Sequence, residues 1–274
     1  MIGPAFLFCP GDRPDRYGKA AAAADTVIID LEDAVALAAK PSAREAMVAS
    51  DLDPARTLVR VNPRATGLLE EDLAALRRTD YRNIVLAKAE TAEDMTPLAG
   101  FRVMAICESP LGVRNADLLA ECDEVVALTW GAEDLVAGMG GSSSRHEDGR
   151  YRSFALYARS RVLIAATSAG IEAVDTVHLD IPDEEGLREE AMDAAASGFS
   201  GAMCIHPRQV AVIRQAFQPS PAALRWATGV LTAAASASNG VFAYEGRMVD
   251  EPVLRQARRI IDSSQLAAST EGEE

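Results

Sequence analysis

The chain has 274 residues, a formal charge of −14 and an apolar half, which suits one large domain or one domain with a short appendage. That acidity excludes a phosphate-backbone binder, which needs a basic face, and any anionic substrate must be drawn in by local charge. No apolar run approaches the roughly 20 residues of a membrane helix, and Pro4, Pro10 and Asp12 interrupt a signal-peptide pattern at the start, so a soluble cytoplasmic protein is expected.

Phe6–Cys9 is a short apolar run stopped by Pro10-Gly11, and a helix pattern follows from about Pro14 to Ala24. Thr26–Ile29 is the second run and ends in Asp30-Leu31-Glu32-Asp33, before a helix from Pro41 to Ser50. Thr57–Asn62 is the third run, followed by a helix from Leu68 to Arg78. The fourth run, Asn83–Lys88, precedes a short helix around Ala92 to Leu98. The fifth, Val103–Ile106, ends at Glu108 and leads to a helix from Leu111 to Glu121. The sixth ends at Thr129-Trp130-Gly131, before a polar, glycine-rich loop from about Gly138 to Gly149 and a helix from Tyr151 to Ser168. Ala173–Asp180 is the seventh run and Asp183–Ser197 its helix; Gly201–Pro207 is the eighth, with a helix from Arg208 to Phe217.

Short apolar runs bounded by turn signals read as strands buried on both faces. Eight strand–helix alternations predict a parallel (β/α)8 TIM barrel over residues 1–218. A doubly wound open sheet is the alternative, but Pro10-Gly11-Asp12-Arg13 lacks the GxGxxG phosphate turn. Residues 219–274 break the pattern and form a C-terminal extension, expected to pack on, or be swapped with, a neighbouring subunit. It reads as a helix near Ala222–Ala237, a turn at Ser238-Asn239-Gly240, a hairpin centred on Glu245-Gly246, a helix from Pro252 to Ile261 and a disordered acidic tail, Glu271–Glu274.

Strand C-termini face the active site of such a barrel. Here they carry Glu32 and Asp33, Arg60, Lys88, Glu108, Asp134, Asp180 and His206. Taken singly, Asp33, Asp134 and Asp183 read as helix caps. Glu108 does not, because Ser109-Pro110 is the better helix start. Carboxylates without a histidine cluster suit a hard divalent ion such as Mg2+, with Glu108 and Asp134 at its centre. Zinc is poorly supported, since His146, His178 and His206 are scattered. Lys19, Lys40 and Lys88 are the only lysines. Lys88 alone is placed for a Schiff base, and it reads better as an electrostatic support. Arg60 taken alone reads as an ion pair to Glu32 or Asp33, and His178, Asp180 and His206 as structural. Gly140–Arg145 reads as a loop, either an anion cradle or a lid. None of the four cysteines makes a CxxC pair, and Cys9, Cys107 and Cys204 sit in apolar runs as reduced, buried residues.

Seven segments together resemble the citrate lyase beta-subunit-like branch of the HpcH/HpaI aldolase/lyase superfamily. They are Cys9–Pro14, Asp30–Asp33, Val59–Asn62, Ile106–Ser109, Gly131–Leu135, Cys204–Pro207 and Glu245–Asp250. The resemblance covers nearly the whole chain and is nearest to stand-alone bacterial members acting on acyl-CoA substrates. It implies a Mg2+-dependent carbon–carbon lyase cleaving a 3-hydroxyacyl-CoA of citramalyl, malyl or 3-hydroxy-3-methylglutaryl type. The alternatives are a citrate lyase beta subunit working with partner subunits on a carrier-protein thioester, and a non-catalytic binding protein on the same fold. The resemblance makes Glu108 and Asp134 the metal ligands and Glu32 and Asp33 acceptors for metal-bound water. It makes Arg60 the cation facing the substrate carbonyl, and Arg13, Arg16 and Lys19 the neighbours of the coenzyme A nucleotide. Asp250 becomes an acid/base residue reaching into a neighbouring subunit's site, and a homotrimer is expected.

Overall fold

The computed structural model of the chain describes residues 3–237 and 240–271. Eight parallel strands, β1 (Ala5–Pro10), β2 (Thr26–Asp30), β3 (Thr57–Val61), β4 (Asn83–Leu86), β5 (Arg102–Cys107), β6 (Val125–Trp130), β7 (Glu172–Asp175) and β8 (Gly201–Cys204), pair in sequence order. The pairing of β1 with β8 closes the barrel. This confirms the (β/α)8 barrel and excludes the open sheet, which would leave both edge strands unpaired.

The barrel interior is a packed apolar layer that includes Phe6, Ile28, Leu58, Val85, Met104, Ile106, Val174 and Met203. Side chains alternate between the faces of a strand. Continuing two residues toward each C-terminus therefore brings Phe8, Asp30, Arg60 and Glu108 to the inner face at the barrel mouth. The polar site thus sits on top of an apolar plug, held by the same strand periodicity.

Several local expectations are corrected. The Ala92–Leu98 stretch forms two 3-10 turns, Ala92–Asp94 and Thr96–Leu98, because Pro97 has no N–H for an α-helix. The Leu111–Glu121 helix is divided into Pro110–Arg114 and Ala116–Ala120. At the break, the Asn115 side-chain amide donates to the Glu90 carbonyl (2.8 Å). Ser109 caps the first piece by accepting from the Gly112 N–H. A short helix, Ala132–Gly138, follows β6 directly, with Gly131 as its N-cap. Asp134 therefore lies in a first helical turn and is not a cap, and Asp33 precedes no α-helix directly. Asp183 is a cap, accepting from Gly186 N–H. The seventh strand stops at Asp175, five residues before Asp180, which is exposed in the following loop.

The chain divides into two compact units, Met1–Arg214 and Gln215–Glu274. In the second, helices Pro221–Ser236 and Glu251–Glu271 pack around Ala227, Val230, Val249 and Ala257. A two-stranded hairpin joins them, β9 (Phe242–Tyr244) and β10 (Arg247–Val249). Glu245 and Gly246 turn it with φ of 48° and 77°, the left-handed pair that a tight two-residue hairpin needs. The final helix runs beyond the expected Ile261. Ser238 and Asn239 of the expected turn, and Gly272–Glu274 of the tail, lie outside the described residues. No helix among the described residues is long and apolar enough to cross a membrane.

Candidate active site

The segment after β2 is built around one buried carboxylate. Asp30 is 1% exposed, and its two oxygens accept from the backbone N–H groups of Glu32 (2.8 Å) and Ala34 (3.1 Å). The same carboxylate takes a bidentate ion pair from Arg60, Nε at 2.7 Å and Nη2 at 2.6 Å. The two residues are register partners on β2 and β3. Arg60 Nη1 also lies 3.3 Å from Glu32, and the guanidinium stacks 4.7 Å from the Phe8 ring centre. A guanidinium has five N–H donors, so Arg60 keeps donors to spare for a ligand at the mouth.

The expected ion pair from Arg60 to Glu32 forms, but the dominant partner is Asp30, which the sequence alone does not single out. The available signal was parity: Asp30 stands two residues beyond Ile28.

Lys88 stands beyond the end of β4 with φ 49°, a strained backbone for a non-glycine residue. That geometry turns its N–H onto Glu108 Oε1 (2.8 Å). It also brings Nζ to Glu32 (2.6 Å), Asp33 (3.2 Å) and Asp134 (3.3 Å). Burial pulls the Lys88 pKa down, but the Glu32 hydrogen bond and the charges of Glu108, Glu32 and Asp134 more than reverse it. Lys88 is therefore a firmly protonated ammonium and not a nucleophilic amine.

Glu108 follows β5 and is 5% exposed. Burial, then the nearby Asp134 carboxylate, push its pKa up to about 7. Its other oxygen faces Gly131, where a Cβ would come within 2.7 Å of Oε2. Only glycine lets the β6 end approach this carboxylate so closely. Two carboxylates thus converge at one point, and their mutual repulsion is what a cation placed between them would relieve.

Among the described residues, no group of three or more His, Cys, Asp or Glu side chains is arranged to hold a metal ion by itself. The donors on offer are Glu108 and Asp134. They fit Mg2+, which takes one or two protein carboxylates and fills its remaining positions with water and substrate oxygens.

Glu108 and Asp134 line one cavity of about 340 Å3 together with Phe8, Asp30, Arg60 and Trp130. A larger cavity of about 950 Å3 adjoins it, and Arg145 and Tyr151 line both. The Arg145 guanidinium lies 3.7 Å from the Tyr151 ring centre and pairs with Glu190 (2.5 Å). Ser144 donates to Glu133 (2.5 Å). The end of the glycine-rich loop is therefore tied down at the mouth.

His178 bonds Glu190 (2.9 Å), and His206 accepts from the Arg208 N–H (3.2 Å). A second residue that sequence reasoning missed is Asp175, buried at the end of β7. It accepts from Trp130 Nε1 (2.6 Å) and pairs with Arg159 (2.9 Å), which fixes the indole in the cavity wall. Cys9, Cys107 and Cys204 are buried and Cys122 half-buried; all are free thiols. Arg13, Arg16 and Lys19 lie at the start of, or within, the exposed face of helix Pro14–Ala23, and Arg13 pairs with Asp15 (3.0 Å). Asp250 belongs to the second unit, where it accepts from Val253 N–H (3.3 Å).

Residues 5–207 match the family HpcH/HpaI aldolase/citrate lyase. The chain belongs to that family. It is 51% identical over 267 residues to a citrate lyase subunit beta-like protein of Mycobacterium tuberculosis, covering 97% of each chain. It is 30% identical over 292 residues to human mitochondrial citramalyl-CoA lyase, covering 94% of this chain and 84% of that one. A crystal structure of CitE from M. tuberculosis, in complex with magnesium, acetoacetate and coenzyme A, superposes with TM-score 0.93 at 50% identity. That match covers 97% of this chain and 99% of the other. The family match spans the whole barrel, from β1 to the end of β8, and so takes in Glu32, Asp33, Arg60, Glu108 and Asp134.

Proposed function

We propose that this protein is a Mg2+-dependent carbon–carbon lyase acting on a 3-hydroxyacyl-CoA whose hydroxyl-bearing carbon carries a carboxylate, of citramalyl, malyl or 3-hydroxy-3-methylglutaryl type. The observation that carries this is the convergence of Glu108 and Asp134 in one cavity with the clamped Arg60. Support comes from the relatives, named as lyases, and from the magnesium and coenzyme A bound by the M. tuberculosis protein.

Glu108 and Asp134 would hold the ion, with Glu32 and Asp33 accepting from its water. When bound, Mg2+ supplies Lewis-acid polarisation of the oxygen that becomes the keto carbonyl. Cleavage of the C2–C3 bond leaves its electron pair on the thioester fragment as an enolate. Arg60, held rigid by Asp30 and Phe8, places fixed positive charge against that developing anion. Such a preorganised donor needs no reorientation during the reaction. Lys88 stays protonated and offsets the carboxylates around it. Arg13, Arg16 and Lys19 would meet the coenzyme A phosphates, supplying the local positive charge that the acidic chain lacks overall. Asp250 would take the substrate's hydroxyl proton as the keto carbonyl forms, or deliver a proton to the enolate carbon, in the site of a neighbouring subunit of a homo-oligomer.

The test is the purified chain alone with Mg2+ and a panel of 3-hydroxyacyl-CoA thioesters. Release of a 2-keto acid and a shorter acyl-CoA is expected. Turnover only with an acyl-carrier-protein thioester and added partner subunits would indicate a citrate lyase beta subunit. Tight thioester binding with no cleavage under either condition would indicate a binding protein. Subunit sharing has its own measurement. Asp250→Ala and Glu108→Ala proteins, each inactive, are mixed under conditions of subunit exchange, and activity should return; permanent inactivity after verified exchange contradicts it.

A further inference from the structure

Lys40 is 7% exposed, and among the described residues no carboxylate lies within ion-pair distance of it. A buried ammonium without a counter-ion is costly unless its donors are satisfied. Here they are satisfied by main chain: Nζ donates to the carbonyls of Leu31 (2.7 Å) and Glu32 (2.9 Å). The Leu31 carbonyl also accepts from Asn62 Nδ2 (3.0 Å). Asn62 is in turn bonded to the fully buried Asp72 (2.7 Å), which pairs with Arg44 (2.7 Å).

Residues 30–34 are thus gripped on two sides. Their N–H groups wrap the Asp30 carboxylate, and two of their carbonyls are drawn onto Lys40. Glu32 and Asp33 ride on this segment, and both meet Lys88, which also contacts Asp134 and Glu108.

We infer that Lys40 is a positioning residue for the proposed metal site, its buried ammonium fixing the peptide planes that follow Leu31 and Glu32 so that Glu32 and Asp33 are held against Lys88. This rests on the Mg2+ reading above. It gives a physical reason for a lysine at a buried helix start that contacts no part of the cavity.

The experiment compares wild type with Lys40→Met, which keeps the length and loses the donors. Mn2+ serves as a spectroscopic probe of metal affinity, and hydrogen exchange is followed at the Glu32 and Ala34 amides. Val162→Ala, a buried change in the distant helix Ser153–Ala169, controls for general stability. In Lys40→Met the two amides should exchange at least ~10-fold faster. Mn2+ binding should weaken by about 10- to 100-fold, as for other outer-shell partners of metal ligands, with the thioester KM little changed. Val162→Ala should move neither reading. Unchanged amide exchange in folded Lys40→Met overturns the inference, as does equal loosening in Val162→Ala. If Lys40→Met does not fold, Lys40→Gln takes its place with the same readings and the same overturning results. A wild type that binds no Mn2+ defeats the metal reading, and the exchange result still decides whether Lys40 holds the segment.

Discussion

Glu108→Gln is expected to lose at least ~100-fold in kcat, the upper end of what even an outer-shell partner of a metal contributes, while the protein keeps its fold. Glutamine retains the acceptor for the Lys88 N–H, so the hydrogen bond at 2.8 Å survives. What disappears is a carboxylate charge that burial and Asp134 already disfavour. The metal-free variant should therefore melt no lower than metal-free wild type at pH 8. The stabilisation that Mg2+ confers on wild type by binding the native state should shrink in parallel with activity. Thermal melts with and without Mg2+, alongside the thioester assay, measure all three. An active Glu108→Gln enzyme with full Mg2+ stabilisation would sink the metal assignment.

Arg60→Met should do more damage to the fold. Asp30 is 1% exposed and would lose a bidentate partner, and removing one member of a buried pair costs about 3–5 kcal/mol. Activity should also vanish, but that alone cannot separate a structural pair from a catalytic cation. The double variant Asp30→Asn/Arg60→Met does. Asparagine removes the stranded charge and keeps an oxygen to accept from the Glu32 and Ala34 N–H groups. Most of the lost stability should return, measured by urea unfolding, while kcat stays at the level of the single variant. Recovery of activity together with stability would reduce Arg60 to an ion-pair partner.

The apolar runs and their spacing made the barrel legible, because each run is a local property of the chain. So were the carboxylates and cations at strand ends, since in this fold that place is itself the mouth. Other parts were hidden for identifiable reasons. β2 is buried on both faces, so its composition does not reveal which side chains point inward, and Asp30 was passed over for its neighbours. Asp175 was missed because the seventh apolar run continues past the true strand end. Its charge is legible only through Trp130 and Arg159, 45 and 16 residues away in sequence. The short helix Ala132–Gly138 is left unassigned by the sequence because seven residues are too few to display a helical period.

What the sequence by itself determined is the (β/α)8 architecture and the placing of Glu108 and Asp134 just past the ends of the fifth and sixth strands, because both follow from short-range patterning. What only the tertiary structure decided is how those groups are held. Arg60 is clamped on Asp30, Lys88 reaches carboxylates after three different strands, Gly131 makes room for Glu108, and Lys40 grips the segment that carries Glu32. Each joins residues distant along the chain, and only barrel closure, with its register of neighbouring strands, brings them within hydrogen-bond reach.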